Sequence, residues 1–152
     1  MTLENRIPPP FLVPLFGAAM WAAALIGPQI QPDRNVRIVA AVVLALPSLL
    51  ILSAGFLTFR RAKTTIDPVR IDRASTVVTT GIFRYTRNPM YVAFTGFLLA
   101  WAVYLAVPWA LFGPAFYVLF LTRFQIIPEE RAMSTKFGGQ YEQYRNQVRR
   151  WL

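Results

Sequence analysis

The fold class is decided by residues 89–127, which read PMYVAFTGFLLAWAVYLAVPWALFGPAFYVLFLTRFQII. Arg123 is the only charged residue in this stretch. A helix of about 20 apolar residues crosses the hydrocarbon core of a bilayer, so the stretch is long enough for two crossings. Only Pro108 and its neighbours separate the two halves. The pattern therefore predicts a tight hairpin of membrane helices over residues 89–107 and 109–127.

Two further apolar runs precede the hairpin, over residues 10–30 and 36–59. Of the 152 residues, 55% are hydrophobic and 15% are charged, whereas soluble domains average about 25% charged residues. Four spans of membrane length account for this apolar excess. We therefore expect an all-α integral membrane protein, a single membrane domain over residues 1–152 with four transmembrane helices and amphipathic helices in the tail.

Positive charge is concentrated in two segments of the chain. There are 16 Lys and Arg residues against 7 Asp and Glu, a net charge of +9. Most of the basic residues lie between the second and third spans or after residue 127. Basic segments stay on the cytoplasmic side of a membrane, so these segments and, with four spans, both termini are expected there. Because topology and anionic headgroups account for the charge, no nucleic-acid partner is expected.

The chain contains neither Cys nor His. This composition excludes disulfides, thiolate nucleophiles, Ser-His-Asp triads and metal sites built on Cys or His, so no metal is expected. Chemistry is left to carboxylates, Arg, Tyr and Asn, or to a bound cofactor that is already reactive.

A polar motif in the loop over residues 77–91 stands immediately before the third span, where residues 81–91 read GIFRYTRNPMY. Asn88 is a favoured N-cap and Pro89 suits a first helical turn, so the third span is expected to begin here. A helix N-terminus attracts anions, and Arg84 and Arg87 flank this one, which indicates a carboxylate or phosphate site. The alternative is a well-capped membrane helix with arginines that reach the headgroups.

Two adjacent carboxylates, Glu129 and Glu130, open the tail over residues 128–152. Carboxylates at a membrane boundary cost free energy unless they are solvated or paired, so they indicate a cation site. They also suit the first turn of a helix that begins at Pro128. Together with the anion site they match a zwitterion, of which the methionine part of S-adenosylmethionine is one example. Arg123 would reach the headgroups, pair with Glu130 or face a cavity.

Three motifs together resemble the superfamily of isoprenylcysteine carboxyl methyltransferases and phospholipid methyltransferases. They are residues 80–91, the pair Glu129 and Glu130, and the tail motif FGGQY over 137–141 with Tyr144, Val148, Arg150 and Trp151 behind it. The resemblance implies a membrane enzyme that binds S-adenosylmethionine in a pocket closed by its C-terminal helices. A lipophilic substrate would enter from the bilayer, which in a chain this short would be the inner membrane of a prokaryote.

The motifs and the resemblance together indicate the site residues. The cofactor would lie against Gly81, Arg84, Tyr85, Arg87, Asn88, Pro89, Tyr91, Glu129 and Glu130. The substrate would lie near Arg123, Tyr141, Tyr144, Arg150 and Trp151. Two residues are expected to be catalytic: Glu130 would accept a proton from an amine substrate, and Arg149 would hold an anionic headgroup or carboxylate.

The chain departs from the family pattern at two positions, because the family often has His in place of Asn88 and Gly in place of Ala93. Asn can still cap a helix and form hydrogen bonds, so cofactor binding is expected to survive, whereas a proton step that depends on this His is excluded. The expected acceptor is an isoprenylcysteine-type carboxylate or a related lipophilic group, with a phospholipid amine or a small thiol as the alternative. A nicotinamide-dependent membrane reductase and a non-catalytic membrane scaffold also stay open.

Overall fold

The computed structural model describes residues 4, 7–28, 30, 32–62 and 76–152, and within these ranges it contains no β-strand. The described α-helices are α1 (Pro9–Ile26), α2 (Arg34–Arg61), α3 (Pro89–Leu105), α4 (Phe112–Leu121), α5 (Ile127–Phe137) and α6 (Gly139–Gln147). The 3₁₀ turns Gly81–Arg84 and Pro108–Leu111 precede α3 and α4, and the π-helical turn Thr122–Ile126 joins α4 to α5. The all-α prediction is confirmed.

Three helical runs in the described part of the chain are long and apolar enough to cross a membrane. They are Pro9–Ile26, Arg34–Arg61 and Pro108–Phe137, with 18, 28 and 30 residues. The expected third span corresponds to α3, which is apolar but has 17 residues. The count of four spans and the membrane hairpin therefore stay predictions. The last run extends well past residue 127, where the sequence pattern ends the fourth span, because α4, the π-helical turn and α5 are continuous.

Helices α2 and α3 approach each other through small residues. In α2 the buried residues are Ser48 and Gly55, and many of its long apolar side chains are exposed, which suits a helix that faces lipid. A Cβ atom on Gly96 of α3 would overlap the Ser48 Oγ and lie 3.2 Å from the Ser48 Cβ, so glycine lets the two helices approach closely at this crossing. Gly55 lies close to Pro89, the first residue of α3. This packing fixes the start of α3, and with it the motif that precedes α3.

The buried core lies between α1, α3 and α4. Tyr117 and Leu121 of α4 are fully buried and belong to the same cluster as Leu98 of α3. Trp101 of α3 donates a hydrogen bond from Nε1 to the carbonyl oxygen of Gly17 in α1, over 3.1 Å. These contacts hold α3 beside α4, so the first turn of α3 can meet the residues that follow α4.

The tail forms two short helices that pack against the loop before α3. Gly138, with φ of +50°, separates α5 from α6. Tyr141 and Tyr144 of α6 form a buried cluster with Val77 of the loop. Val148 has extended backbone at the end of α6. The C-terminal residues therefore leave α6 as an extended segment.

Candidate functional site

Helix α3 begins at the predicted residue but is not capped in the predicted way. Pro89 lies in its first turn and Asn88 at the N-cap position, yet the Asn88 side chain makes no capping hydrogen bond. Its Nδ2 instead donates to the carbonyl oxygen of Arg150 over 2.9 Å. The backbone N–H of Arg87 likewise donates to the carbonyl oxygen of Arg149 over 3.0 Å. The prediction of a side-chain cap is wrong because this amide binds the extended C-terminal segment.

Arg87 is the centre of these contacts. Its Nη1 donates to the carbonyl oxygens of Arg145 (2.7 Å) and Val148 (2.9 Å), and its Nη2 donates to Glu130 (2.7 Å). The two carbonyl groups lie at the C-terminal end of α6, where a cation satisfies free acceptors and the negative end of the helix dipole. The side chain is 9% exposed, and its buried Nε has no hydrogen-bond partner within the described residues. Arg87 therefore ties α6 to α5.

Glu130 binds two arginines at once. Besides Arg87, it accepts from Arg150, whose Nε contacts Oε1 at 3.0 Å and whose Nη2 contacts Oε2 at 2.7 Å. The hydrogen bond to Glu130 raises the pKa of Arg150 above its ordinary value. Two-pronged pairing of this kind is the strongest form of carboxylate–guanidinium contact. We define the C-terminal clasp as Arg87, Asn88, Glu130 and Arg150 with the contacts described above.

Glu129 is surrounded differently, although it is the next residue of the same helix. Adjacent helical residues point about 100° apart, because a turn contains about 3.6 residues. The Oε1 of Glu129 accepts a hydrogen bond from the Tyr91 hydroxyl over 2.7 Å and a second one from the Nε2 of Gln125. Both donors are neutral. The two adjacent carboxylates therefore differ: Glu130 has cationic partners, and Glu129 has neutral partners among the described residues.

A π-helical turn lies directly before these carboxylates. Pro128 lacks an N–H and its ring displaces the carbonyl group of the preceding turn, so regular α-helical bonding cannot pass through it. The helix widens at Thr122–Ile126, where the N–H of Ile127 bonds to the Thr122 carbonyl oxygen five residues earlier. The hydroxyl of Thr122 accepts a hydrogen bond from the Nε1 of Trp151 over 3.2 Å. This turn therefore also holds the end of the C-terminal segment.

Tyr141 and Tyr144, both expected near the substrate, are buried with 5% and 7% exposure. The Tyr144 hydroxyl donates to the carbonyl oxygen of Phe83 over 2.8 Å. Burial raises the pKa of Tyr141 to about 12 and raises that of Tyr144 as well, so both phenols are protonated at neutral pH. In this structure they hold α6 against the loop, and their part in substrate binding stays a prediction.

Three residues expected at the site have exposed side chains. Arg84 and Tyr85 lie at the surface in the turn before α3, and Tyr85 is 73% exposed. Arg149 is exposed in the C-terminal segment, where its carbonyl group, but not its side chain, contacts Arg87. These side chains would meet a ligand only from the surface of the protein.

Arg123 pairs with the N-terminal region and not with Glu130. Its Nη1 lies 3.1 Å from Oε1 of Glu4, and Nη2 of Arg131 lies 3.0 Å from Oε2 of the same carboxylate. The hydrogen bond from Arg123 lowers the pKa of Glu4. Of the three sequence interpretations of Arg123, the pairing with Glu130 is wrong, because Arg123 binds Glu4 and the partners of Glu130 are Arg87 and Arg150.

Gly81, expected near the cofactor, has a conformational role. Its φ is +59°, and a Cβ atom on it would lie 2.8 Å from the Thr58 Oγ1. We predict that Gly81→Ala lowers the free energy of unfolding by about 1–2 kcal/mol, because alanine resists left-handed backbone and meets Thr58. Thermal unfolding in detergent measures the change. The matched control is Gly139→Ala, where the structure has no described atom within 4 Å of a Cβ; equal losses in both variants would contradict this role for Gly81.

The shape of the Arg87 side chain gives a second prediction. Lysine has one ammonium group and cannot reproduce the guanidinium fork that reaches three acceptors. We expect Arg87→Lys to speed hydrogen–deuterium exchange of the amides over residues 145–151 by about thirtyfold, which corresponds to about 2 kcal/mol. Arg145→Lys is the control, because the Arg145 side chain is 44% exposed and only its carbonyl group contacts Arg87. Unchanged exchange in Arg87→Lys would show that Arg87 does not hold the segment.

Gln125 and Thr122 also belong to this region, although neither was predicted there from the sequence. Gln125 is 3% exposed, and it is a polar residue near the end of a mostly apolar run. Its position four residues before Glu129 places the two side chains on one helical face, which is the signal that would have indicated their contact. No comparable signal marks the contact of Thr122 with Trp151, which joins residues 29 positions apart.

Comparison with known proteins gives a family match and one relative. The description of the family model that matches residues 36–140 is phospholipid methyltransferase. The chain is also 40% identical over 63 residues to an uncharacterized protein of Haemophilus influenzae; those residues are 41% of this chain and 100% of the relative. No solved structure matches. The family match includes most of α2, the turn before α3 and both adjacent carboxylates, and it covers more than half of the chain. The chain therefore belongs to the phospholipid methyltransferase family and is an integral membrane protein.

Proposed function

We propose that this protein transfers a methyl group from S-adenosylmethionine to a lipid-soluble acceptor at the membrane face. The observation that carries the proposal is Glu129, a partly buried carboxylate held by two neutral donors. Its neighbour Glu130 already has two arginine partners. A carboxylate in a poorly solvated place gains free energy from an added cation. Membership of a methyltransferase family supports the reaction class.

The residues present suit the methionine part of S-adenosylmethionine, which carries an ammonium, a sulfonium and a carboxylate. Glu129 offers an anionic oxygen to either cation. The first turn of α3 offers backbone N–H groups and the positive end of a helix dipole to the carboxylate. Tyr91 lies in that turn and also contacts Glu129, so the anion-binding and cation-binding groups are neighbours. Arg87 contacts protein acceptors with both of its Nη atoms, so we assign carboxylate binding to the helix turn.

When bound, S-adenosylmethionine supplies a methyl group on a sulfonium, so no nucleophilic protein side chain is required. The contribution left to the protein is to orient the reactants and to exclude water. Tyr91 and Gln125 hold the Glu129 carboxylate in one direction. The C-terminal clasp keeps the extended segment against the turn before α3, beside Glu130.

The acceptor decides whether a proton must also move. A carboxylate or thiolate acceptor loses no proton, whereas an amine acceptor must release one. Glu130 was expected from the sequence to accept this proton, but two guanidinium groups stabilise its charged form. We therefore propose Glu129 as the better placed proton acceptor. Exposed Arg149 is available to attract an anionic headgroup at the membrane face.

We also propose that both ends of the described chain lie on the cytoplasmic side. Glu4 contacts Arg123 and Arg131, so the start of the described chain and the start of the tail lie at the same end of the helix bundle. An even number of crossings would fit this contact, which supports the expected four spans. The basic residues around α3 and in the tail favour the cytoplasmic side, here of the inner membrane of a prokaryote.

Ligand binding tests the cofactor. Detergent-purified protein is titrated with S-adenosylmethionine, S-adenosylhomocysteine and NADPH by calorimetry, and thermal shifts are recorded in parallel. We expect saturable binding of the first two ligands. Binding of NADPH alone would favour a membrane reductase, and no binding of any ligand would favour a non-catalytic scaffold; both results overturn the proposal.

Methyl transfer from labelled S-adenosylmethionine tests the acceptor. The protein is reconstituted in vesicles with a phospholipid amine, an isoprenylcysteine-type carboxylate or a small water-soluble thiol. The family description makes the phospholipid amine the first acceptor to test. Alkali releases the label from a methyl ester but not from a methylamine, which separates the two lipid products. Transfer to the small thiol alone would contradict a lipid-soluble acceptor.

A further inference from the structure

We infer that Gln125 is a positioning residue, which aims the Glu129 carboxylate at a cationic group of the ligand without neutralising its charge. The inference rests on the proposed function, in which Glu129 receives the cation. Gln125 lies in the π-helical turn Thr122–Ile126 and is 3% exposed. A buried amide is costly unless it is hydrogen-bonded. Its Nε2 donates to Glu129, so this contact offsets the cost of burying the amide.

The two donors to Glu129 converge on one oxygen. Both the Tyr91 hydroxyl and the Gln125 amide meet Oε1, and they come from different helical segments, α3 and the π-helical turn. Two bonds on one oxygen restrict rotation of the carboxylate. Within the described residues both hydrogen bonds to this carboxylate end on Oε1. Oε2 is therefore the oxygen that the geometry offers to a ligand.

The neutral charge of the amide matters as much as its position. A lysine or arginine at position 125 would pair with Glu129, as Arg87 and Arg150 pair with Glu130. Such a pair would cancel the charge that attracts a cationic ligand. An amide donor fixes the carboxylate and leaves its charge uncompensated. Gln125 lies in the π-helical turn before Pro128, four residues before Glu129.

Two variants test the inference by separating the two properties. Gln125→Leu removes the donor at similar size, and Gln125→Lys keeps a donor but adds the competing charge. Binding of three ligands is measured by calorimetry: S-adenosylmethionine has a sulfonium and an ammonium, S-adenosylhomocysteine has the ammonium alone, and methylthioadenosine has neither. Gln143→Leu, at an exposed position of α6, is the control for the same chemical change.

We expect both variants to lose about tenfold in affinity for ligands that carry the cation facing Glu129. If that cation is the sulfonium, S-adenosylmethionine weakens relative to the other two ligands. If it is the ammonium, the first two ligands weaken relative to methylthioadenosine. Either selective loss supports the inference, since a merely structural role of Gln125 would weaken all three ligands equally.

Equal weakening of all three ligands, or wild-type affinities in both variants, would overturn the role of Gln125. Gln125→Lys keeps the measurement possible if Gln125→Leu does not fold, because a Lys–Glu pair four residues apart supports a helix. Failure of the proposed function looks different, since the wild-type protein would then bind neither S-adenosylmethionine nor S-adenosylhomocysteine. That result would contradict both the proposed function and the role of Gln125.

Discussion

Glu129→Gln is expected to weaken the binding of S-adenosylmethionine by about ten- to a hundredfold. The substitution removes the negative charge and preserves the shape of the side chain. An amide oxygen can still accept from Tyr91 and Gln125, so the local contacts survive. A hydrogen bond to a charged group is worth about 1.5–3 kcal/mol, which gives the expected range of affinity. Calorimetry measures the affinity, and the thermal unfolding midpoint shows that the variant is folded.

Glu142→Gln is the matched control for this substitution. Glu142 lies in α6 with a side chain that is 44% exposed, and it accepts a hydrogen bond from Ser134 over 2.7 Å. The same loss of one negative charge there is expected to leave cofactor affinity within about twofold, because exposed charges interact weakly. If Glu129→Gln bound S-adenosylmethionine as tightly as Glu142→Gln does, Glu129 would not be the group that receives the cation.

The second large effect is expected from Glu130→Gln, which removes the shared partner of two arginines. Arg87 would keep its buried position and lose the carboxylate that compensates its charge. Removing one member of a buried ion pair costs about 3–5 kcal/mol. We therefore expect a loss of about 3 kcal/mol in the stability of the C-terminal clasp. Faster hydrogen–deuterium exchange over residues 145–151 and a lower unfolding midpoint measure this loss.

Arg150→Gln shows whether the loss of stability in Glu130→Gln is larger than the loss of a single ion pair would give. The Arg150 side chain is 36% exposed, so solvent compensates part of the missing contact, and Glu130 keeps its bond to Arg87. A smaller effect than that of Glu130→Gln is therefore expected. A Glu130→Gln protein with wild-type exchange and a wild-type unfolding midpoint would show that Glu130 does not hold the segment.

Features that depend on neighbours along the chain could be predicted well. Apolar runs show the helices, because the hydropathy of about 20 consecutive residues decides whether a segment suits a bilayer. Asn88 and Pro89 mark the start of α3, and the glycine pair after Phe137 marks the break in the tail. These signals are local: a missing N–H, a cap position or a glycine acts within one helical turn.

Contacts across the fold could not be predicted in the same way. Arg87 and Asn88 are expected at a ligand, but the structure uses them to bind residues that lie 43 to 62 positions later. A guanidinium group binds a carboxylate of the protein as readily as one of a ligand, so residue type alone does not tell the two apart. Which partner Arg87 meets depends on how α5 and α6 fold back against the loop.

The sequence by itself determined that this is a helical membrane protein, where its motifs stand and which superfamily they resemble. Hydropathy and short motifs are sufficient for this because they act over short distances along the chain. Only the tertiary structure decided that Glu130 is shared by two arginines while Glu129, one residue before it, has neutral donors. The physical reason is direction: adjacent residues of a helix point about 100° apart and therefore meet different parts of the fold.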